Sequence, residues 1–344
     1  MLMRLFYPIC RFFLFLLNPE TAHKVTFLLL KIGKALKLSF LYRQHVPVAP
    51  ISVMGVLFPN KVGLAAGLDK NGAYLDAIEP LGFGYVEIGT LTPRPQPGNL
   101  APRMFRLVKD EAIINRMGFN NAGIDVAIEN IKNSQYYKHG GIIGVNIGKN
   151  FDTPIENAID DYLICFEKAY PYASYIAVNI SSPNTPNLRN LQHGDYLDSL
   201  LETLKHRQAE LAGQYIKYVP IVVKIAPDLA PDEMNAIADK LLAHRIDGVI
   251  LTNTTLSREG LAEETEEAGG LSGRPLFERS NKVLSAFTER LNGQLPIVGV
   301  GGIDSAETAQ QKIALGASLV QIYTGFIYKG PSLIVDCIKA LSKK

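Results

Sequence analysis

Amide side chains recur near the ends of short apolar runs in this 344-residue chain. They are Asn115, Asn120, Asn121, Asn146, Asn179, Asn184 and Asn253. Each amide offers both a hydrogen-bond donor and an acceptor, which suits a planar ring with alternating N–H and C=O groups, such as a pyrimidine. Lys224 lies inside an otherwise apolar run, where an ammonium group is costly unless it faces an anion. These residue types together predict a site that binds a polar ring and carries a positive charge.

Glycine-containing turns add a predicted phosphate site. The motifs GVGGID (299–304) and QIYTGF (321–326) close the last two apolar runs and present backbone N–H groups before a helix, the phosphate position of many barrel enzymes. Gly273, in GGLSGRP (269–275), adds a third turn of this kind. The sequence has no GxGxxG between a strand and a helix, so a mononucleotide is favoured over a nicotinamide dinucleotide.

Ser182 lies in a loop rich in Pro and Asn (179–192), which is typical of an active-site loop. It has no G-x-S-x-G elbow, so acyl chemistry is a poor hypothesis, and a hydroxyl is a weak base unless its proton passes on through water. For Lys224 the residues leave two hypotheses open. It stabilises the charge that collects on a flavin ring during reduction, or it pairs with a structural carboxylate such as Glu87.

The elements that must position these residues form a repeating pattern after residue 61. Eight apolar runs occupy 62–67, 85–90, 141–148, 175–182, 220–227, 248–254, 296–302 and 319–325. They are continuous and rich in β-branched residues, as expected of parallel strands covered on both faces. Helical stretches at 156–170, 196–211, 231–244 and 305–315 separate several of them. Because polar residues follow almost every run, we predict a (β/α)8 barrel whose strand ends share one site, with a doubly wound sheet as the alternative.

The first 45 residues differ in character from the rest. They contain seven Lys or Arg and one acid, whereas the whole chain has a net charge of only +2. The apolar segment 5–17 is interrupted by Pro8 and Arg11 and is too short to cross a bilayer. Asn18 and Pro19 then predict the start of a second helix, reaching about residue 38. We interpret the pair as a helical hairpin lying in an anionic membrane surface, with a signal peptide or an extra packed helical layer as alternatives.

Composition excludes other classes of site. The body is net acidic, which argues against nucleic-acid binding. Cys10, Cys165 and Cys337 lie far apart, without metal-ligand spacing, so we predict neither a disulfide framework nor a metal site.

Taken together, the motifs resemble the dihydroorotate dehydrogenase family over essentially the whole chain. The shared motifs are GLAAGLDKNG, EIGTLTPRPQPGN, INRMGFNN, VNIGKN, VNISSPNTP, GGLSGRP, VGVGGIDS, QIYTGFIYKGP and, in the extension, NPETAH. The resemblance implies a (β/α)8 barrel that binds FMN and oxidises dihydroorotate to orotate in de novo pyrimidine biosynthesis. Family members of the soluble class have cysteine at the catalytic position, so Ser182 and the N-terminal hairpin together imply the quinone-dependent class.

The resemblance also implies roles for particular residues. Ser182 would take a proton from the substrate C5 while a hydride leaves C6 for the flavin. FMN would contact Ala66, Gly67, Leu68, Asp69, Lys70, Thr90, Asn146, Asn179, Lys224, Thr252, Gly273, Gly302, Tyr323 and Thr324. The substrate would contact Lys70, Asn115, Arg116, Met117, Gly118, Phe119, Asn179, Asn184, Asn253 and Thr254. His23 and Arg106 are candidates for the quinone head group, and Asn187 replaces a glycine of the family pattern.

The expected organisation follows from the same resemblance. Residues 1–45 would form the membrane-associating extension and quinone tunnel, and residues 46–344 the FMN-binding barrel. We expect a monomer, peripheral on the cytoplasmic side of a bacterial inner membrane, that reduces ubiquinone or menaquinone. Two alternatives stay open: an FMN-barrel oxidoreductase with another planar substrate, and a catalytically idle binding module, against which Ser182 and Lys70 argue.

Overall fold

The computed structural model describes residues 2–342, with side chains from residue 4 onward. Eight parallel strands close into a barrel in chain order. They span Val62–Leu64, Tyr85–Leu91, Ile143–Ile147, Tyr175–Asn179, Ile221–Ile225, Gly248–Leu251, Ile297–Val300 and Leu319–Ile322. The last strand pairs with the first, Val320 opposite Val62, so the predicted barrel is confirmed and the open doubly wound sheet is wrong. The runs are continuously apolar because each strand is buried on both faces.

Twelve helices are present in the described part of the chain. They are α1 Leu2–Phe15, α2 Pro19–Ala35, α3 Leu75–Ile78, α4 Ile124–Asn133, α5 Gln135–Lys138, α6 Ala158–Ala169, α7 Gly194–Tyr215, α8 Pro231–Ala243, α9 Phe277–Leu291, α10 Ala306–Ala314, α11 Thr324–Lys329 and α12 Ser332–Leu341. The four helical stretches predicted in the body are confirmed as α6, α7, α8 and α10. Ser305 caps α10 by accepting a hydrogen bond from the Thr308 N–H at 3.2 Å.

Two small antiparallel sheets were not predicted. A hairpin of Ile51–Val53 and Val56–Phe58 places Phe58 against Tyr85 inside the barrel, with ring centroids 5.1 Å apart. Strands Met104–Leu107, Ala112–Asn115 and Gly270–Gly273 form a second sheet. That sheet joins loops about 155 positions apart in sequence, with Gly270 opposite Asn115, and therefore brings two glycine- and asparagine-rich motifs together.

The first two helices pack on different parts of the barrel, α1 on α11 and α2 on α3 and the strand Met104–Leu107. Asn18 accepts a hydrogen bond from the Thr21 N–H at 2.8 Å, which confirms the predicted cap, although α2 ends at Ala35 rather than near residue 38. The Tyr7 hydroxyl donates to the carbonyl of Ile327 at 2.6 Å. Within residues 2–342 no helix combines the length and apolar character needed to cross a membrane.

Exposed apolar side chains concentrate in these two helices and the turn after them. They include Leu5, Phe6, Ile9, Phe12, Phe13, Leu16, Leu28, Leu29, Ile32, Leu36, Phe40 and Leu41. Phe12 and Phe13 are 62% and 61% exposed, and Leu16 is 70% exposed. These side chains therefore form an exposed apolar surface on the two helices and the turn after them.

Candidate active site

The carboxyl ends of the barrel strands surround one cavity with about 1070 Å³ of empty space, including the part open to solvent. Most of the residues predicted for a site line it. They are Ala66, Gly67, Lys70, Thr90, Asn115, Met117, Gly118, Phe119, Asn179, Ser182, Asn184, Lys224, Thr252, Asn253, Thr254, Gly273, Gly302, Tyr323 and Thr324. The convergence of parallel strand ends therefore brings together residues from positions 66 to 324.

Four predicted site residues do not line the cavity, and the side chain of one of them, Arg116, contacts a neighbouring loop. Its guanidinium donates to the Glu267 carboxylate at 2.7 Å and to the carbonyl of Ala268 at 3.0 Å, and it lies 4.6 Å from the Phe105 ring centroid. These partners direct the charge away from the cavity, so Arg116 holds the loop before Gly270–Gly273 in place.

The other three lie behind the cavity wall. Asp69 accepts backbone N–H groups from Ala73 and Tyr74 at 2.9 and 2.8 Å, and burial raises the pKa of its carboxyl to about 6. Leu68 contributes its carbonyl to a contact with α2, described below. Asn146 is fully buried and contacts cavity residues through its amide. Of the three, Asn146 is hydrogen-bonded to residues that line the cavity, Thr90 and Asn179.

A buried carboxylate, Glu87, anchors the floor of the site. It accepts hydrogen bonds from Asn146 at 2.8 Å, Tyr175 at 2.9 Å and Gln321 at 2.7 Å, and its Oε1 lies 3.5 Å from Lys224 Nζ. Lys224 thus both lines the cavity and pairs with Glu87, so the two hypotheses for this lysine describe one arrangement. The carboxylate holds the ammonium at the wall of the cavity.

The amides of the site are linked to one another. Asn179 Nδ2 donates to Thr90 Oγ1 at 3.0 Å and to Asn146 Oδ1 at 3.2 Å. Asn253 Nδ2 donates to Ser181 Oγ at 3.0 Å, and Asn184 Nδ2 donates to the Asn115 carbonyl at 3.1 Å. Side chains fixed in this way lose little conformational freedom when they bind a ligand.

Ser182 is 5% exposed and lines the same cavity. Its hydroxyl oxygen accepts the Asn184 N–H at 3.2 Å. In the part of the chain that the structure describes, no carboxylate or imidazole is bonded to this hydroxyl, so the serine has no built-in partner for nucleophilic attack. The loop continues to Asn187, whose φ of 57° confirms that this position needs the left-handed region.

Lys70 faces the cavity from the first strand's loop and donates to the Gly67 carbonyl at 2.7 Å. Burial and the nearby charge of Arg103 lower the pKa of its amine to about 8. An anion at this point would favour the charged ammonium, so Lys70 is suited to bind a carboxylate or an electron-rich ring.

Glycines form the wall opposite these polar groups. Gly301, Gly302 and Gly273 have φ values of 106°, 73° and 99°. A Cβ added at Gly302 would lie 2.5 Å from the Phe277 Cα, and one at Gly273 would lie 2.3 Å from the Glu111 carbonyl oxygen. Both positions therefore require glycine, which leaves backbone N–H groups unobstructed by side chains.

Several lining residues were missed by sequence reasoning. They include Ser272, Leu276, Val300, Ile303 and Gln321. All of these except Leu276 lie within motifs quoted above, so their positions were visible in the sequence although their roles were not. Gln321 Oε1 is buried and has no hydrogen-bond partner among residues 4–342, which marks a point where a ligand donor fits.

The two residues predicted to meet a quinone lie where the first two helices contact the barrel, His23 on α2 and Arg106 beside the end of α1. His23 Nε2 lies 2.7 Å from the Leu68 carbonyl, and burial, assisted by the charge of Lys70, lowers the pKa of its imidazole to about 4. Since a carbonyl only accepts, Nε2 carries the proton and Nδ1 is left as an acceptor. Arg106 donates to the carbonyl of Leu17 at 2.8 Å and stacks on Phe15 at 4.4 Å, so it also stabilises the end of α1.

Comparison with known proteins places this arrangement in context. A family model described as dihydroorotate dehydrogenase matches residues 48–344. A relative named dihydroorotate dehydrogenase (quinone), from Yersinia pseudotuberculosis serotype O:1b (strain IP 31758), is 57% identical over 337 residues, covering 97% of this chain and 99% of the relative. A relative of the same name from Yersinia pestis gives the same values. A crystal structure of DHODH from Eimeria tenella in complex with ferulenol has a TM-score of 0.86 and 39% identity, over 94% of this chain and 90% of that chain.

Proposed function

Because the chain belongs to the dihydroorotate dehydrogenase family, we propose that its cavity holds FMN and that dihydroorotate binds beside Ser182. The enzyme is a quinone-dependent dihydroorotate dehydrogenase, which oxidises dihydroorotate to orotate in pyrimidine biosynthesis. The observation that carries the site assignment is the convergence of Ser182, Lys70 and the linked amides on one cavity whose opposite wall is glycine.

The residues present fit FMN. The turns at Gly273 and Gly302 exclude side chains and offer backbone donors to a single phosphate, as a mononucleotide requires. Lys224 supplies a positive charge at the wall, and the unpartnered Gln321 Oε1 can accept an N–H of a flavin ring. When bound, FMN supplies a two-electron acceptor for the substrate hydride and passes the electrons to a quinone.

The chain's own residues perform the remaining steps. Lys70 and the amides of Asn115, Asn184 and Asn253 bind and orient the substrate through its carboxylate and ring groups. Ser182 then removes the proton at C5. Since no acidic or imidazole partner is bonded to Ser182 in the described residues, we propose that its proton passes on to water. These amides offer both donors and acceptors to a ring with alternating N–H and C=O groups, so they favour a pyrimidine-like substrate.

We also propose how the enzyme meets its second substrate. Residues 1–45 form the membrane-associating extension and quinone tunnel, and residues 46–344 the FMN-binding barrel. Exposed Phe12, Phe13 and Leu16 would enter the apolar zone of a bilayer, while exposed Lys24 and Lys31 would meet anionic head groups. The acceptor is ubiquinone or menaquinone, and the monomer is peripheral on the cytoplasmic side of a bacterial inner membrane.

Anaerobic stopped-flow reduction by dihydroorotate tests the proposal. We expect the flavin of the wild type to bleach and to reoxidise with a ubiquinone analogue, and Ser182→Ala to bleach at least about a hundredfold more slowly. Ser199→Ala, an exposed serine of α7, serves as the matched control. A flavin that dihydroorotate cannot reduce would refute the substrate, and equal rates in Ser182→Ala and wild type would refute the base.

Membrane binding has its own test. Phe12→Ser/Phe13→Ser should fail to co-sediment with phosphatidylglycerol vesicles while its reduction by dihydroorotate is unchanged. Ile216→Ser, which alters a 95% exposed apolar residue outside α1 and α2, is the control. Undiminished vesicle binding by the double variant would exclude this surface as the membrane contact.

A further inference from the structure

Arg189 lies at the junction of three loops around the cavity. It belongs to the 3-10 turn Leu188–Gln192, which follows the Ser182 loop, and its side chain is 20% exposed. Its guanidinium donates to the Ser181 carbonyl from Nε at 3.1 Å and to the Thr254 carbonyl from Nη2 at 3.2 Å. Nη1 donates to Asp228 Oδ2 at 3.0 Å. The Arg189 guanidinium thus connects Ser181, which precedes the proposed base, with Thr254 of the cavity wall. It also reaches the loop after the fifth barrel strand through Asp228.

Asp228 completes the connection from the other side. Its carboxylate accepts the Thr255 hydroxyl and the Leu256 N–H, the latter at 2.9 Å, and lies 3.7 Å from Arg279. The carboxylate is 19% exposed, so its contacts are only partly screened by solvent. The buried Gln192 connects the same two loops a second time, because its side-chain oxygen accepts the Ala226 N–H at 2.9 Å.

From these contacts we infer that the Arg189–Asp228 pair is a positioning device that holds Ser182 in register with the substrate wall at Thr254. The inference rests on the proposed function. Among the described residues the Ser182 hydroxyl accepts a single N–H, from Asn184, so its placement depends on how the neighbouring backbone is fixed. The guanidinium fixes the carbonyl one residue before it.

The geometry explains why an arginine is needed. Three acceptors in three directions require the fork of donors that a guanidinium presents, whereas an ammonium is a point charge on a flexible stem. An error of about 1 Å in the placement of a catalytic group can cost about a hundredfold in rate. Arg189→Lys keeps the positive charge and loses the directed hydrogen bonds, so it distinguishes the effect of positioning Ser182 from the effect of the charge.

The test uses the flavin-bound enzyme and reduction rates per bound FMN. We expect Arg189→Lys and Asp228→Asn to reduce the rate by about tenfold to a hundredfold. Orotate affinity, measured by the flavin spectrum, should change by less than about threefold, because the binding amides are untouched. The kinetic isotope effect from deuterium at the substrate C5 should rise, since only the proton-removal step depends on Ser182, while the effect at C6 should not.

Two further variants keep the test decisive. Thr255→Val removes one donor to Asp228 with little change of shape, and it should produce a smaller change of the same kind even if the other variants lose flavin. Arg290→Lys breaks the exposed bidentate pair between Arg290 and Asp239, with both contacts at 2.6 Å, and controls for the loss of an ion pair elsewhere.

The outcomes are distinguishable. Wild-type rates and isotope effects in flavin-bound Arg189→Lys and Thr255→Val would overturn the inference while leaving the proposed function intact. Variants that lose thermal stability or flavin but keep the rate per flavin would assign the pair a structural role alone, and would overturn it too. A wild-type flavin that dihydroorotate does not bleach would overturn the proposed function, and this inference with it.

Discussion

Lys312 offers a quantitative test of the packing behind the proposed phosphate-binding turn at Gly301 and Gly302. This lysine of α10 is fully buried, and its Nζ donates to Ser280 Oγ at 2.5 Å. Ser280 Oγ in turn lies 3.1 Å from the Gly301 carbonyl, so the lysine supports the glycine turn from behind. Burial, partly opposed by the charge of Glu278, lowers the pKa of the amine from 10.5 to about 7.

The cost of this burial follows from the shift in pKa. Each pKa unit corresponds to about 1.4 kcal/mol, so a lowering from 10.5 to about 7 destabilises the folded state by about 5 kcal/mol below about pH 7, and this cost declines as the pH rises toward 10.5. Lys312→Met removes that cost and also removes one hydrogen bond, worth about 1 kcal/mol. With allowance for imperfect packing of the new side chain, we expect a gain of about 3 kcal/mol at pH 7.

The sign of the pH dependence is fixed by the same shift. Between pH 7 and 10.5 the unfolded state binds more protons than the folded state, so the stability of the wild type rises with pH across this window. Lys312→Met should lack that rise, and the two proteins should converge near pH 10.5. The penalty in the wild type is complete below about pH 7.

Urea unfolding of the flavin-free protein, followed by circular dichroism at pH 7 and pH 10, measures both effects. Lys282→Met, an exposed lysine of α9, should change stability by less than about 0.5 kcal/mol and serves as the control. A Lys312→Met protein that is less stable at pH 7, with an unchanged pH slope, would refute the reasoning. It would mean that the ammonium is stabilised by an interaction stronger than its bond to Ser280.

Three other predictions concern the site and its supports. Gly302→Ala should abolish FMN binding, measured as the flavin absorbance of the purified protein, because the new Cβ would overlap the start of α9. Gly293→Ala controls for backbone strain and should retain flavin absorbance, because Gly293 has a similar φ of 75° and open space around it. The wild type should lose up to about 3 kcal/mol of stability as the pH falls from 6.5 to 4, because the unfolded His23 imidazole binds protons that the folded one, with a pKa of about 4, does not. His23→Gln should lack this loss in thermal or urea unfolding. No difference between the variant and the wild type at pH 5 would contradict this prediction. Asn187→Gly should leave flavin reduction by dihydroorotate unchanged, whereas Asn187→Val should destabilise the loop by about 1 to 2 kcal/mol, because φ is 57° there; a fully active valine variant would contradict this expectation.

The barrel was predictable because its signals are local. Continuous β-branched runs alternate with helical stretches, and almost every run ends in glycine or a hydroxyl residue, so position along the chain already indicates which end of the strand faces the site. Family resemblance then supplied the roles of individual residues. Neither source predicted the sheet that pairs Gly270 with Asn115, because each of its strands is only four residues long and carries no distinctive period.

Side-chain direction was the part that sequence could not supply. Arg116 and Met117 are adjacent in one motif, yet Met117 lines the cavity and Arg116 binds Glu267. The partner lies 151 positions away, so the choice between inward and outward was made by a distant loop. Asn146 shows the same limit, since nothing in the sequence indicated that its amide joins Glu87 to Thr90.

The hydrogen bonds around Glu87 indicate how the site is preorganised for its ligands. A fully buried carboxylate such as Glu87 is costly unless several donors satisfy it, and here Asn146, Tyr175 and Gln321 do so while Lys224 offsets its charge. Gln321 and Lys224 line the cavity, so the interaction that satisfies the carboxylate also fixes the groups that meet the ligand. Breaking any of these contacts would then change ligand binding and stability together, whereas the contacts of Arg189 bear on the reaction rate. The two sets of contacts can be separated by measurement. Loss of a Glu87 contact should alter FMN affinity, and loss of an Arg189 contact should alter the isotope effect at C5.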